Sequence, residues 1–448
     1  MKKLFGTDGI RGTANRHPMT PEVALALGEA IAFYFSRKQG GGRIVVGKDT
    51  RRSSYMIEYA ISAGISCMGS LAILTGPLPT PGIAFITRAM RADAGVVISA
   101  SHNPFQDNGI KFFDPNGFKL PDEIEIQMEE FVFATHEEKI RPTHDGIGRA
   151  IRVDDAVGRY AEFLKSTFPK NLTLKGLKVV IDCANGAGYS VGPLVLSEMG
   201  AEVVPLGVHP NGTNINSHHG AVHPNVMAEI VKRENAHLGI ALDGDADRVI
   251  LCDEKGTILD GDQILALAAV DRKKEGKLAQ STVIGTIMSN MGLEVYLREE
   301  GIKFVRTPVG DRSIMELMRR DGYTLGGEPS GHIIFMDHST TGDGILAALQ
   351  VIAVMLKQGK PLSEVAGKMP LFPQKSKNIP FKKKPDLEGI PEVQKQIAAV
   401  EAELRGKGRV ILRYSGTEPV LRLMIEGEDE AKLTQYLNRL STVIEAHV

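Results

Sequence analysis

Along these 448 residues one arrangement keeps returning: a short apolar run, a turn rich in Gly, Asp and Asn, then a stretch with helical spacing. It predicts strands at residues 43–47 before KDTRRSS, at 178–183 before ANGAG, at 238–242 before DGDADR, and at 282–286 before IMSNMG. Strands that alternate with helices predict parallel sheets covered by helices, an α/β fold. A single core rarely grows past about 250–300 residues, so several domains are expected. Residues 135–153 show no clear period and read as a link. The turn at 253–256 opens a new unit. Residues 369–391 carry five prolines and the run Lys382, Lys383 and Lys384, which reads as a solvated face. The expected domains are therefore 1–153, 154–253, 254–368 and 369–448, the last with strands near 409–414 and 420–426.

Composition narrows the partners. With 53 Lys and Arg against 54 Asp and Glu the net charge is −1. Nucleic-acid binders usually carry a basic field, so none is expected as a partner. The apolar region at 344–356 is too short to span a bilayer and reads as a buried helix, so no membrane partner is expected either. No apolar stretch of signal length follows the first residues, and a cytoplasmic location is expected. Cys67, Cys183 and Cys252 lie far apart, which favours reduced thiols over a disulfide or metal pair.

The chemistry concentrates in a few turns. Residues 95–98 form an apolar run that drops into Ser99, Ser101, His102 and Asn103 before Pro104 stops any regular element. A hydroxyl is thus presented at a strand end, where open α/β sheets bind ligands. Taken alone, such a segment is an ordinary turn. A Ser–His hydrolase is the other option, but neighbouring side chains seldom face each other, and triads are defined by geometry. Asp243, Asp245 and Asp247 follow a strand and alternate, which in an extended segment places them on one face. Three converging carboxylates need a cation, and oxygen ligands select Mg²⁺ or Ca²⁺. Glu254 falls at the twelfth place from Asp243, as in a calcium loop, but Arg248 stands where that loop needs Gly. Catalytic Mg²⁺ is the stronger reading, with phosphoryl transfer at Ser101. Arg413 and Arg422 frame Ser415, Gly416 and Thr417, a pattern suited to gripping phosphate through backbone N–H groups and guanidinium forks. Glu328 and Ser330 sit in another polar turn, and His209, His218, His219 and His223 read as polar loop residues.

Five segments, LFGTDGIRG (4–12), ISASHNPFQDNGIKFF (98–113), DGDADR (243–248), GEPSGH (327–332) and RYSGTEP (413–419), follow one another along essentially the whole chain. In these the chain resembles the α-D-phosphohexomutase superfamily, and most of all its members that act on glucosamine phosphate. The resemblance implies four domains around a central cleft: three α/β phosphohexomutase-type domains and a smaller C-terminal α+β domain. It implies that Ser101 is a phosphoserine and that Asp243, Asp245 and Asp247 bind Mg²⁺ together with it. Lys111 becomes a general base or acid, with Arg11 and His332 also assigned to catalysis. His102, Arg248, Glu328 and Ser330 are implied to contact the substrate, and Arg413, Ser415, Gly416, Thr417 and Arg422 to hold its non-reacting phosphate.

The implied reaction interconverts glucosamine 6-phosphate and glucosamine 1-phosphate through a sugar 1,6-bisphosphate, which also serves as activator. The product would feed amino-sugar nucleotide and cell-wall synthesis. Phosphomannomutase or phosphoglucomutase activity is the near alternative, and a calcium-binding sugar-phosphate sensor the distant one. The expected partner is a small-molecule sugar phosphate; a homodimer is the assembly considered. Two positions depart from the family pattern: Pro329 where glutamine is usual, and Lys48 where arginine is usual, a swap that keeps the charge and loses the fork.

Overall fold

The apolar runs pair into four sheets. The computed structural model describes all residues except 1–3, 7, 36–40, 135–140, 368, 382–388, 405–406, 415–419 and 448. The lysine run at 382–384 and the residues Ser415, Gly416 and Thr417 therefore lie outside the described residues. The first sheet runs in the order Ile10–Thr13, Asp107–Phe113, Ala94–Ile98, Arg43–Lys48, Leu71–Pro77 and Arg149–Arg152. Its last four strands are parallel and its first two antiparallel. Residues 149–152, read above as part of a link, supply its edge strand. All four are exposed, so burial gave them no periodicity to read.

The second sheet orders Ile258–Leu259, Val249–Asp253, Leu238–Leu242, Lys178–Asp182 and Glu202–Leu206. The third orders Lys303–Thr307, Thr282–Thr286, Leu325–Gly327 and Ile333–Phe335. Central strands such as Leu238–Leu242 and Thr282–Thr286 are buried along their whole length, which is why they are continuously apolar or small rather than alternating. The fourth sheet is antiparallel, Gln374–Pro380, Val420–Gly427 and Gly408–Tyr414, with helices Pro391–Leu404 and Glu430–Glu445 against it.

Two cores result. The first three sheets share one, in which Val97, Tyr160, Ile181, Leu242 and Leu349 belong to a single cluster. The expected buried helix spans Gly344–Gln358; Asp343 caps it by accepting from the Leu346 N–H at 3.0 Å. A Cβ on Gly344 would stand 2.5 Å from the Arg248 carbonyl and 2.8 Å from Leu242, so this helix begins directly against the acidic turn. The last sheet encloses its own core of Ile379, Val400, Leu421 and Leu440. Among the described residues no helix is long and apolar enough to cross a membrane.

Candidate active site

Ser101 follows the buried strand Ala94–Ile98 and takes a left-handed conformation, φ 52°. Non-glycine residues adopt that conformation at a cost of about 1–2 kcal/mol, so surrounding contacts must hold it. Its N–H donates to Ser99 Oγ at 2.9 Å. Its hydroxyl donates to Asp243 Oδ2 at 2.6 Å, across the boundary between the first and second sheets.

The acidic trio converges in a different way from the extended segment expected. Residues 243–248 form a tight turn joining the antiparallel strands Leu238–Leu242 and Val249–Asp253, with Ala246 at φ 56° and its N–H on the Asp243 carbonyl. Curvature, rather than strand alternation, brings the carboxylates together. One oxygen from each lies within 4.8 Å of the others, and all three residues are buried. Asp245 Oδ2 accepts from Thr80 Oγ1 at 2.7 Å. The second oxygens of Asp245 and of Asp247 are buried without a hydrogen-bond partner. Buried carboxylate oxygens rarely stay unpaired, and hard cations take such ligands. The trio thus fits a divalent ion. Glu254 is engaged elsewhere, by Ser363 on the helix Leu362–Ala366, so the twelve-place calcium loop does not form.

Charge around the trio is balanced by cations from neighbouring strands and turns. The Lys111 ammonium lies 3.2 Å from Asp245, 3.3 Å from Asp8 and 3.6 Å from Asp247. Burial opposes its charge, but these carboxylates prevail and hold its pKa well above the ordinary lysine value. Burial, then repulsion by Asp247 and Asp245, pushes Asp243 well above the usual carboxylate range. Asp247 is also buried, yet Lys111 and His332 bring it well below that range.

His332 is buried; its Nδ1 stands 3.6 Å from Asp247 and its Nε2 3.7 Å from Asp311. Nε2 accepts from the Gly342 N–H at 3.1 Å, which leaves the ring proton on the side of Asp247. Burial lowers its pKa, but Asp247, Asp311 and Glu328 outweigh burial and raise it. His102 behaves oppositely. Burial, then Arg248 and Arg11, brings it down to about 4, and its Nδ1 lies 3.4 Å from Ser101 Oγ and 3.2 Å from Arg248. Arg11 pairs with Asp8 at 2.6 Å.

Several participants escaped the sequence reading. Asp8 ties Arg11, Lys111 and Lys119 together, and Lys119 bridges to Asp311 across the first and third sheets. The fully buried Arg51 sits behind the serine loop and Asn216 reaches it from the second domain. Asp8 lies within LFGTDGIRG and Arg51 within KDTRRSS, but their roles, like those of Lys119 and Asn216, rest on contacts that only the fold brings together. Lys48 lies apart from this group: it pairs with Glu58 at 2.5 Å beneath the Tyr55 ring.

The remaining expected residues occupy two other places. Glu328 is buried and accepts from the Gly310 N–H at 3.1 Å, Ser330 is exposed on the same turn, and the Pro329 carbonyl accepts from Gly261. Arg413 and Arg422 are directly opposite in the antiparallel pair of the fourth sheet. Burial, then Arg422, lowers the pKa of Arg413. Like charges opposed across strands are destabilising, an arrangement suited to an anion. Their joining loop, with Ser415, Gly416 and Thr417, lies outside the described residues. His219 Nδ1 is 3.1 Å from Asp182 and the His218 and His223 rings are 5.9 Å apart, which matches loop roles.

Four family models match in succession: phosphoglucomutase/phosphomannomutase alpha/beta/alpha domain I at residues 2–139, domain II at 158–256, domain III at 260–372 and the C-terminal domain at 377–443. The chain is 57% identical to the phosphoglucosamine mutase of Syntrophotalea carbinolica over 100% of its own length and 98% of that protein's. It is 55% identical to the phosphoglucosamine mutase of Geobacter metallireducens, covering 100% of this chain and 99% of that protein. Among solved structures, a phosphoglucomutase/phosphomannomutase family protein from Burkholderia thailandensis superposes with TM-score 0.81 at 23% identity, over 99% of this chain and 97% of that one. The N-acetylphosphoglucosamine mutase of Aspergillus fumigatus superposes with TM-score 0.71 at 18% identity, over 99% and 96%. The chain belongs to the phosphoglucomutase/phosphomannomutase family and, within it, to the phosphoglucosamine mutases.

Proposed function

We propose that the protein interconverts glucosamine 6-phosphate and glucosamine 1-phosphate by passing a phosphoryl group between Ser101 and the sugar. The observation that carries this reading is the 2.6 Å contact of Ser101 Oγ with Asp243, inside a trio that still has two unpaired buried oxygens. Asp243, Asp245 and Asp247 would hold Mg²⁺, together with the phosphate of a phosphorylated Ser101. Bound there, the ion supplies charge compensation for the transferring phosphoryl group.

In the first half-reaction the phosphorus–Oγ bond of phosphoserine breaks and a bond to the free sugar hydroxyl forms. The hydroxyl proton passes by way of a protein group, and Ser101 Oγ ends protonated. The product is a sugar 1,6-bisphosphate; after it turns end for end, the reverse transfer rephosphorylates Ser101. Lys111 is held in its charged form by three carboxylates, so it enters as a cation beside the transfer site. His332 orients Asp247, and Arg248 keeps the His102 Nδ1 lone pair engaged. Arg413 and Arg422, with Ser415, Gly416 and Thr417, hold the phosphate that is not reacting, and Glu328 and Ser330 take the sugar. Because the bisphosphate binds in two orientations, a grip made of guanidinium forks suits both better than one matched to a particular sugar face. Closure of the last domain over the cleft excludes water from the phosphoserine.

Replacement of Ser101 by alanine should abolish turnover while the fold persists. Retained turnover in that variant would end the proposal. Rates on the phosphates of glucosamine, glucose and mannose, measured side by side, should favour glucosamine. Equal or faster turnover of mannose or glucose phosphate would assign the chain to the alternative mutase activity.

A further inference from the structure

The loop that carries Ser101 is held from behind by its backbone carbonyls. Arg51, with no exposed surface, donates to the carbonyls of Ser101 at 2.9 Å, Asn103 at 2.9 Å, Asp107 at 3.0 Å and Pro104. Its Nε is paired with Asp49 at 2.7 Å, and the same Asp49 oxygen accepts from Ser99 Oγ at 2.7 Å. Lysine could not replace this fork, since one ammonium cannot span four acceptors. From the second domain, Asn216 Nδ2 donates to two of the same carbonyls, Ser101 at 2.8 Å and Asn103 at 2.9 Å. Asn216 itself takes a left-handed backbone, φ 59°, and its N–H is fixed on the Ala184 carbonyl. Its Oδ1 is buried without a hydrogen-bond partner, a cost that packing alone does not justify. A third element closes the arrangement: a Cβ on Gly244, between Asp243 and Asp245, would stand 2.5 Å from the Ser101 carbonyl and 2.9 Å from Asn216 Nδ2.

From this geometry we infer that Arg51 and Asn216 form a two-domain clamp whose role is to register Ser101 on the acidic trio, with Asn216 as a positioning residue for phosphoryl transfer. The inference rests on the mutase reading given above. Arg51 sets the loop's shape within the first domain. Asn216 ties that loop to the domain that carries Asp243. Neither side chain is among the groups that would grip the sugar or its distal phosphate. Loss of Asn216 therefore leaves substrate capture in place and displaces the serine oxygen from its working position. Misplacement of a reacting group by about 1 Å can slow a reaction roughly 100-fold.

The test is single-turnover uptake of phosphate onto dephosphorylated enzyme from glucose 1,6-bisphosphate with Mg²⁺, followed by intact mass, alongside steady-state kinetics and thermal unfolding. Asn216→Ala should slow uptake about 10- to 100-fold and lower kcat in step. KM for glucosamine phosphate should stay within about twofold, and Tm within a few degrees. Asn216→Asp keeps the size, removes both donors and should slow uptake at least as much, which covers a failure of the alanine variant to fold. Gly244→Ala, which pushes on the same carbonyl from the other side, should show the same loss in kcat. Uptake in both Asn216 variants within threefold of wild type would overturn the clamp. So would parallel changes in kcat, KM and Tm, the mark of general loosening. Absence of uptake by the wild-type enzyme would instead remove the mutase reading, whatever the variants do.

Discussion

Around Ser101 the protein gathers buried charges of both signs, whereas at Arg413 and Arg422 it sets two like charges opposite each other on neighbouring strands. The first centre is assembled from three domains that share one core, and it is cross-braced. Thr80 donates to Asp245, Lys119 pairs with Asp311, and Arg312 reaches Glu125 at 2.7 Å. The second rides on a domain with its own core. That domain joins the third through the linker, where Asn290 and Phe372 exchange two hydrogen bonds of 3.0 Å, and through Arg409, which donates to the Ser289 carbonyl at 2.6 Å. The contrast divides the labour. Under the proposed function, group transfer, which needs close placement, falls to the cross-braced body, and capture of the non-reacting phosphate to the domain with a core of its own.

The largest loss is expected at the serine. Ser101→Ala should reduce turnover by roughly 10⁴-fold or more, since the group that carries the phosphate is gone. Activity assays with unfolding controls check this. Asp247→Asn, or removal of divalent ions by a chelator, should lower kcat about 100-fold or more by withdrawing charge compensation. Metal titration by calorimetry should show the variant's weakened binding. Unchanged metal affinity would detach the trio from the ion.

Smaller effects sharpen the other half. Arg413→Ala and Arg422→Ala should each raise KM for the sugar phosphate by about 10- to 100-fold, the range for losing a charge-assisted bond, with a lesser change in kcat. A loss confined to kcat would place these arginines at the transferring group instead. At the junction between the two regions, Asp262 is pushed up to about 7, chiefly by burial and then by Asp260. Its folded-state pKa is raised, so its contribution to stability is present below the ordinary carboxylate range and is lost as pH rises to about 7. Asp262 accepts from the Asn290 N–H at 2.6 Å, a bond that an asparagine can keep. Asp262→Asn should therefore raise Tm by a few degrees at pH 8 and by less at pH 5. An equal shift at both pH values would contradict the assignment.

How far the fold and site were legible depends on what carried the signal. Strands such as Leu238–Leu242 and Thr282–Thr286 were legible to the residue because full burial writes itself as a continuous apolar or small-residue run. The exposed edge strand Arg149–Arg152 left no such trace. Ser101 and the three aspartates were legible as residues, but their meeting came from a tight turn with a left-handed Ala246, which side-chain alternation does not describe. Asn216 and Lys119 carried no signal, and Asp8 and Arg51 stood inside the segments LFGTDGIRG and KDTRRSS without a readable role. Their partners are backbone carbonyls or charges at distant positions in the chain, and only the packed domains bring these together.

In the proposed reaction Ser101 carries the phosphoryl group between the two ends of the sugar. The most direct measurement is intact and peptide mass of the wild-type enzyme, isolated, dephosphorylated, and then treated with a sugar 1,6-bisphosphate and Mg²⁺. The account predicts the gain of one phosphoryl group on the peptide bearing Ser101, and its loss on addition of glucosamine 6-phosphate. Turnover with no phosphate on that serine, or with phosphate on another residue, would contradict it.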